Sequence, residues 1–184
     1  MALRATLEFC FLISPQEYSG HMKHAFLLVL FALLAAAQSD SPPVNPKPGK
    51  IFDELADSSL MAMTKRAEEL KITGAAVVAF IEGDTTKSWS SKMVVIGKMT
   101  DAPTEKKPGA SVLAIAYSKA AEMAETLKDS GNAGRPPMTG ENGWQGGLIK
   151  KGKTGYLIAA FSVGPSESDL KVSQAGLEVL AGKL

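Results

Sequence analysis

Apolar side chains recur at steps of three and four residues in three parts of the chain, the spacing of an amphipathic helix. The first part starts near Asp53, a plausible helix cap, and can end at Gly74. The second follows Ser111, another cap. The third runs from Ser166 to Leu180, and Ser166-Glu167-Ser168-Asp169 is predicted to form a capping box at its start. The apolar positions are Phe52, Leu55, Ala56, Met63, Ala67 and Leu70, then Val112, Ile115, Ala116, Ala120, Met123 and Leu127, then Leu170, Leu177, Leu180 and Ala181.

Between these helices the pattern predicts four strands. Ala75 to Ile81 is an unbroken, valine-containing apolar run, typical of a strand that is covered on both faces. Trp89 to Met99 follows across a short polar turn, as in an antiparallel hairpin. Two further strands lie between Gly146 and Val163, joined by a turn at Gly152-Lys153.

The last two strands also contain the P-loop pattern G-x-x-x-x-G-K-[ST], at Gly147, Gly152, Lys153 and Thr154. A P-loop needs a helix directly after the Ser or Thr, because the amides of that helix bind the phosphate. Here a strand-like run follows instead, so a hairpin turn is the better interpretation.

Two segments carry no period and are predicted to be loops. Thr100 to Gly109 is polar and holds two prolines, and Ser130 to Gln145 is rich in glycine and proline. A loop of the second kind either covers a ligand or merely connects two elements. It contains Met138 and Thr139, which stand out only as candidates for weak axial ligands.

The N-terminus resembles a secretory signal peptide. Residues 22–37 combine a short basic start, an apolar run too short to span a bilayer, and small residues before Gln38. We expect cleavage after Ala37 and a periplasmic or secreted protein. Residues 1–21 do not fit ahead of such a signal and are interpreted as a misassigned upstream extension, and residues 38–50 as a proline-rich linker.

Removal of residues 1–37 would take away the only cysteine, Cys10, and both histidines, His21 and His24. A cysteine nucleophile, a Ser-His-Asp triad and a Cys/His zinc site would then be excluded within one subunit. The whole chain has a formal net charge of +1 at pH 7. Since nucleic-acid binding requires a basic surface, we expect no nucleic-acid partner, and no membrane partner once the signal is cleaved.

Lys119 stands out because it falls in the middle of the apolar side of the second helix. One interpretation is that its stem packs along the core while its ammonium reaches water. The other is that the ammonium faces a cleft and binds an anionic ligand such as a carboxylate or propionate. A carboxylate of the protein within reach of Lys119 would discriminate between them.

The order of these features resembles the haem-binding GlcG/HbpS family over about Asp53 to Leu180. The residues that carry the resemblance are Gly146-Gly147-Leu148, the hairpin, the strand ending at Gly164, the Ser-x-x-Asp segment at Ser166, Gln174-Ala175-Gly176-Leu177, Lys98-Met99 and Ser118-Lys119-Ala120.

The resemblance implies a profilin-like α+β domain over residues 51–184, with an antiparallel sheet of about five strands flanked by helices, assembled as a homo-oligomer. It also implies an exported protein that binds haem or another tetrapyrrole. The cofactor-binding residues would be Lys119, Met138, Thr139, Gly146 and Gly147. The alternatives are a non-haem oligomeric small-ligand or interaction module on the same scaffold and, more weakly, a haem-degrading enzyme, for which no acid/base pair is evident.

Overall fold

The computed structural model describes residues 47–184, which belong to one compact unit, Asn45–Leu184. The predicted upstream extension, signal peptide and most of the predicted linker lie outside the described residues. The elements, in chain order, are α1 (Pro48–Glu69), β1 (Gly74–Glu82), β2 (Ser90–Ile96), β3 (Thr100–Asp101), β4 (Ala110–Ser111), α2 (Val112–Thr126), β5 (Gly147–Lys151), β6 (Gly155–Ser162) and α3 (Ser166–Ala181).

The α+β class is confirmed, with a four-stranded antiparallel sheet in the order β2-β1-β6-β5 and three flanking helices. The sheet has one strand fewer than the roughly five expected. β3 and β4 form a separate two-stranded ribbon in a region where the sequence predicted only loop. Each of these strands has two residues, too few to produce a recognisable alternation.

The sheet is covered on both faces, which explains why β1 is apolar from end to end. Alternate side chains of β1 belong to two different cores. One core lies against α1 and α3 and includes Phe52 and Phe161, and the other lies against α2 and includes Ile81 and Met123. A buried strand with both faces covered needs no polar side, as the sequence predicted.

One predicted helix start, that of α1, and one predicted helix cap, that of α3, were wrong. α1 begins at Pro48. Proline suits the first helical position, because the amide that it lacks would have no acceptor within the helix. Asp53, the predicted cap, is an exposed residue inside the helix. α3 has Pro165 at its N-cap position with no side-chain cap, and Asp169 points into the protein instead of back along the helix. The cap at Ser111 is confirmed, since its Oγ accepts a hydrogen bond from the Ala114 amide at 3.3 Å.

The predicted hairpin is confirmed between β5 and β6. The amide of Gly152 donates to the carbonyl of Gly155 at 2.7 Å and thereby closes the turn. A strand, not a helix, follows Thr154. The P-loop pattern here therefore lacks the helix N-terminus that would hold a phosphate.

Candidate functional site

Lys119 forms a buried ion pair with Asp169. The Lys119 Nζ lies 2.7 Å from Asp169 Oδ2 and also donates to the Phe161 carbonyl at 2.7 Å. Both side chains are only 3 % exposed. The Lys119 ammonium thus does not reach bulk water. Asp169 is the protein carboxylate that was expected to discriminate between an ammonium in water and an ammonium that binds a ligand. The ammonium is already partnered inside the protein.

Helices α2 and α3 and the segment before β5 meet at this ion pair. They can approach one another because Gly146 has no side chain there. Gly146 has a φ of +130°, and a Cβ built there would fall on Lys119 Nζ and lie 2.7 Å from Asp169 Cβ. Its carbonyl accepts hydrogen bonds from the Ser173 hydroxyl at 2.7 Å and from the Phe161 amide at 3.2 Å. Only glycine combines this conformation with this close approach.

Burial perturbs both members of the pair. Desolvation lowers the pKa of Lys119 and raises the pKa of Asp169, and the charge of each partner opposes the shift of the other. Desolvation is the largest cause of both pKa shifts, and it disfavours the charged form of each group. A pair of this kind is weak support for the fold and is a common feature of functional sites.

Asp169 has one oxygen that is not satisfied. Its Oδ2 is used by Lys119, but Oδ1 is buried and has no well-formed hydrogen bond among the described residues. The backbone amides of Val163 and Gly164 face this carboxylate and favour its charged form, without reaching Oδ1 in good geometry. A buried acceptor without a donor is uncommon in folded proteins.

A cleft of about 470 Å³ opens over the pair. Its floor contains Lys119, Asp169 and Ser162, and its far side is the N-terminal end of α3. Its rim mixes polar and apolar side chains from the β3–β4 ribbon, α2 and the long loop. The remaining lining residues are Asp101, Ala110, Ile115, Trp144, Gln145, Val163, Gly164, Pro165 and Ser166.

Gly147 is the second predicted site residue near this centre, but its role is local. Its amide donates to the Ser130 hydroxyl at 2.8 Å, and its carbonyl accepts from the Ser130 amide at 3.2 Å. A Cβ at Gly147 would lie 2.5 Å from the Met123 Cε. Gly147 therefore fastens the end of the long loop to α2 and does not line the cleft.

Met138 and Thr139 lie elsewhere, on the exposed part of the long loop. Met138 is 51 % exposed, and neither residue lines the cleft over Lys119. Arg135 holds this loop by bonds to Glu141 at 2.7 and 2.9 Å and to Glu125 of α2 at 2.6 Å. The structure thus brings Lys119 and Gly146 together and leaves Met138 and Thr139 apart from them.

Sequence reasoning missed Asp169, which it interpreted as part of a capping box, and did not assign Ser173 to a site. A signal was present in both cases. Asp169, Ser173, Gly176 and Leu180 follow one another at helical spacing, and all are buried. Asp169 therefore lies on the apolar side of α3, as Lys119 lies on that of α2. Two opposite charges on two apolar helix faces predict a buried pair.

The described side chains do not fit haem at the residues that the resemblance assigns. A haem site needs an apolar slot with an axial ligand aimed at the iron. Lys119 is committed to Asp169, and Met138 and Thr139 are on an exposed loop. A second, more apolar cleft of about 580 Å³ lies beside Trp89 and Leu127, lined also by Asp84 and Glu125, and it contains no histidine, cysteine or methionine.

The fold and the site together define an α+β domain with a cleft of mixed polar and apolar lining over a buried ion pair. Comparison of the chain with protein-family models, with curated proteins and with solved structures gives no match. None of the helices in residues 47–184 has the length and apolar character needed to cross a membrane. Within the same residues, no cluster of three or more His, Cys, Asp or Glu side chains could hold a metal ion.

Proposed function

We propose that this protein is a non-haem binding module that takes a small polar ligand into the cleft over Lys119 and Asp169. The observation that carries the proposal is an open cleft of about 470 Å³ that is lined by the buried ion pair Lys119–Asp169 together with exposed side chains such as Trp144 and Gln145.

The composition of the cleft supports binding rather than catalysis. Lys119 and Asp169 are paired with each other, and neither is placed as a free acid or base beside a nucleophile. Trp144 and Ile115 add apolar surface at the rim, while Gln145 and Ser166 add adaptable polar groups. Small-ligand sites typically combine an apolar wall with a few fixed polar groups.

The test is a thermal-unfolding screen of the purified chain against single compounds at 10 mM. The panel contains amino acids, mono- and dicarboxylates, primary amines and monosaccharides. A compound with a dissociation constant of about 0.1 mM stabilises the folded state by about 2.7 kcal/mol, which raises the unfolding temperature of a domain of this size by roughly 8 °C.

A matched pair of variants locates the binding. Gln145→Trp fills the cleft from an exposed rim position and should abolish the stabilisation. Gln174→Trp makes the same change at an exposed position of α3 outside the cleft and should retain it. A panel without any stabilising compound, or stabilisation that survives Gln145→Trp, would overturn the proposal.

The resemblance implies haem or tetrapyrrole binding, for which we propose a non-haem ligand instead, and it also implies homo-oligomer formation, which we retain as a proposal. The two outer strands of the sheet, β2 and β5, each have one unpaired edge among the described residues, where a second copy could add a strand. Sedimentation equilibrium of the purified chain tests this expectation.

Export is likewise proposed, on the signal-like segment at residues 22–37. N-terminal sequencing of protein recovered from the extracytoplasmic fraction should begin at Gln38. A mature chain that retains the apolar segment would contradict cleavage after Ala37.

A further inference from the structure

The two outer strands of the sheet differ in whether their outer edge is already occupied. On β5, the Ile149 amide donates to Asp129 Oδ1 at 2.9 Å. The Gly147 amide donates to the Ser130 hydroxyl at 2.8 Å, and the Gly147 carbonyl accepts from the Ser130 amide at 3.2 Å. The segment that follows α2 therefore closes most of the β5 edge to another strand.

The outer edge of β2 is open. Successive residues of an antiparallel strand direct their backbone groups to opposite sides, and the Phe161 amide of β6 donates to the Gly146 carbonyl on the β5 side. Followed from there through the pairing of β6 with β1 and of β1 with β2, this alternation directs the backbone groups of Lys92 and Val94 toward β1. The alternate residues of β2 direct their amides and carbonyls outward, where no hydrogen bond from residues 47–184 reaches them. They are Ser91, Met93 and Val95.

Apolar side chains border this open edge on both faces of the sheet. On the α2 side, Met93 and Trp89 pack against the core but stay half-exposed. On the α1 side, Lys92 contacts Asp57 at 3.1 Å, and Met61 lies one helical turn beyond Asp57. Met61 is 71 % exposed, more than any other large apolar side chain of residues 47–184. Apolar surface beside an unpaired edge marks an interaction site.

β2 lacks the features that keep other strands away from an exposed edge. Such features are a proline, a bulge, or a charged side chain that is free to repel a neighbour. The pairing of β2 with β1 runs without a bulge, and Lys92 is the only charged residue of the strand. Its ammonium is held by the Asp57 carboxylate and the Asp53 carbonyl, each at 3.1 Å. A neighbouring strand therefore meets no unpaired charge at β2.

We propose that β2 pairs antiparallel with β2 of a second copy of this chain, in a register centred on Met93. Met93 then lies opposite the same residue of the second copy, and Ser91 lies opposite Val95. Every outward residue faces another outward residue, so each of these three pairs exchanges two hydrogen bonds. The two four-stranded sheets join into one continuous sheet with two-fold symmetry.

The charge pattern favours a second copy over a foreign peptide. An edge without an unpaired charge has nothing that selects an acidic or a basic segment, whereas β2 is complementary to itself. In the proposed register Lys92 lies opposite Val94, so two lysines are not directly opposed. The oligomer implied by the resemblance thereby has a defined surface, register and symmetry. β2 contributes no residue to the cleft over Lys119 and Asp169, so pairing and ligand binding succeed or fail separately.

Charged residues on the two-fold axis test the register. Met93→Lys places two ammonium groups opposite each other in the dimer, and Met93→Glu places two carboxylates there. We expect sedimentation equilibrium to show that each variant alone has a dimer dissociation constant at least about tenfold above that of the wild type. An equimolar mixture of the two places lysine opposite glutamate and should restore the dimer. Far-UV circular dichroism checks that both variants are folded.

Proline at an outward position gives a second test that adds no charge. Ser91→Pro removes an amide that β1 does not use, which an edge strand tolerates, and by symmetry it disrupts the two outer pairs of the dimer. Lys151→Pro is the matched control, because Lys151 is an exposed residue at an outward position of β5. We expect Ser91→Pro to raise the dissociation constant at least about tenfold and Lys151→Pro to change it by less than about twofold.

Each contrary result overturns a defined part of the proposal. A wild-type chain that sediments as a monomer at about 0.1 mM would exclude the dimer and leave the β2 edge to an extended segment of another protein. A dimer that Ser91→Pro and Lys151→Pro leave equally stable would exclude β2 as the interface. If Met93→Lys and Met93→Glu each weaken the dimer and their mixture does not restore it, the register centred on Met93 is wrong.

Discussion

At the scale of single residues, the molecule depends on one desolvated ion pair and the glycine that admits it. Lys119 and Asp169 are separated by 50 positions in the chain and meet only because α2 and α3 approach β6 from opposite faces of the sheet near Gly146. Burial lowers the pKa of Lys119 and raises the pKa of Asp169, and the attraction between the two charges opposes both shifts. A buried pair of this kind is weak evidence for stability.

This cost predicts how the pair responds to substitution. Lys119→Met or Asp169→Leu alone leaves one buried charge without its partner and should lower the free energy of unfolding by about 3–5 kcal/mol in urea denaturation. The double variant removes both charges and should lie within about 2 kcal/mol of the wild type.

The exposed pair Lys171–Glu167 on α3 is the control for that experiment. Its double replacement by Met and Leu should change stability by less than about 1 kcal/mol. A Lys119→Met/Asp169→Leu variant that is destabilised as much as either single variant would mean that the ion pair stabilises the fold relative to apolar side chains.

Gly146 gives a second prediction at this scale. Gly146→Ala places a methyl group on Lys119 Nζ in a backbone conformation that alanine rarely adopts, so we expect a loss of about 3 kcal/mol or more in the free energy of unfolding. Gly83→Ala is the control: its φ is +86° but no atom lies within 4 Å of the added Cβ, so the loss should be about 1 kcal/mol. Equal losses would show that the backbone, and not the ion pair, requires glycine.

At the scale of elements, periodicity identified the three helices and the four sheet strands because each has enough residues to show its repeat. It failed where a helix start or a cap is not marked by the apolar repeat. α1 begins at Pro48, before the first periodic apolar residue, and Asp169 is held by Lys119 of α2 instead of capping α3. The ribbon of β3 and β4 is defined by pairing between Thr100–Asp101 and Ala110–Ser111, which no local pattern encodes.

The long loop between α2 and β5 carries a prediction of its own. Hydrogen bonds from Arg135 and then from the Met138 amide lower the pKa of Glu141 to about 2. A carboxyl whose pKa is depressed on folding stabilises the structure above its unfolded value of about 4.5, and this contribution is lost as the pH falls toward 2. The loop should therefore keep its conformation at pH 4 and loosen near pH 2.

NMR of the Met138 amide reports this transition directly, because that amide donates to Glu141 Oε2 at 2.8 Å. Its chemical shift should titrate with a midpoint near pH 2, and Glu141→Gln should abolish the titration. A midpoint near pH 4.5 would show that Arg135 does not hold the loop in solution.

At the scale of the whole molecule, the sequence predicted the α+β class and the order of the principal elements but not how the site residues are distributed. The sequence correctly singled out Lys119, because a charged residue at an apolar position of a helical repeat can be recognised from the sequence alone. Its partner was not identified, because the pairing depends on two helices that pack on the sheet from different parts of the chain. Met138 and Thr139 were grouped with Lys119 by resemblance, and the folded loop holds them on the surface.

This separation leads to the last prediction. The charge of Lys119 is paired with that of Asp169, and Met138 is exposed on the loop. We therefore expect titration of the purified chain with hemin to give no saturable shift of the Soret band. A saturable shift that Met138→Ala removes would restore haem as the ligand and the long loop as its cover.

Met99→Ala is the matched control, since Met99 is also an exposed methionine, at 43 %, and does not line the cleft over Lys119. A shift that both variants retain would direct the search to the apolar cleft beside Trp89, where a planar ligand could lie against the indole without a methionine ligand.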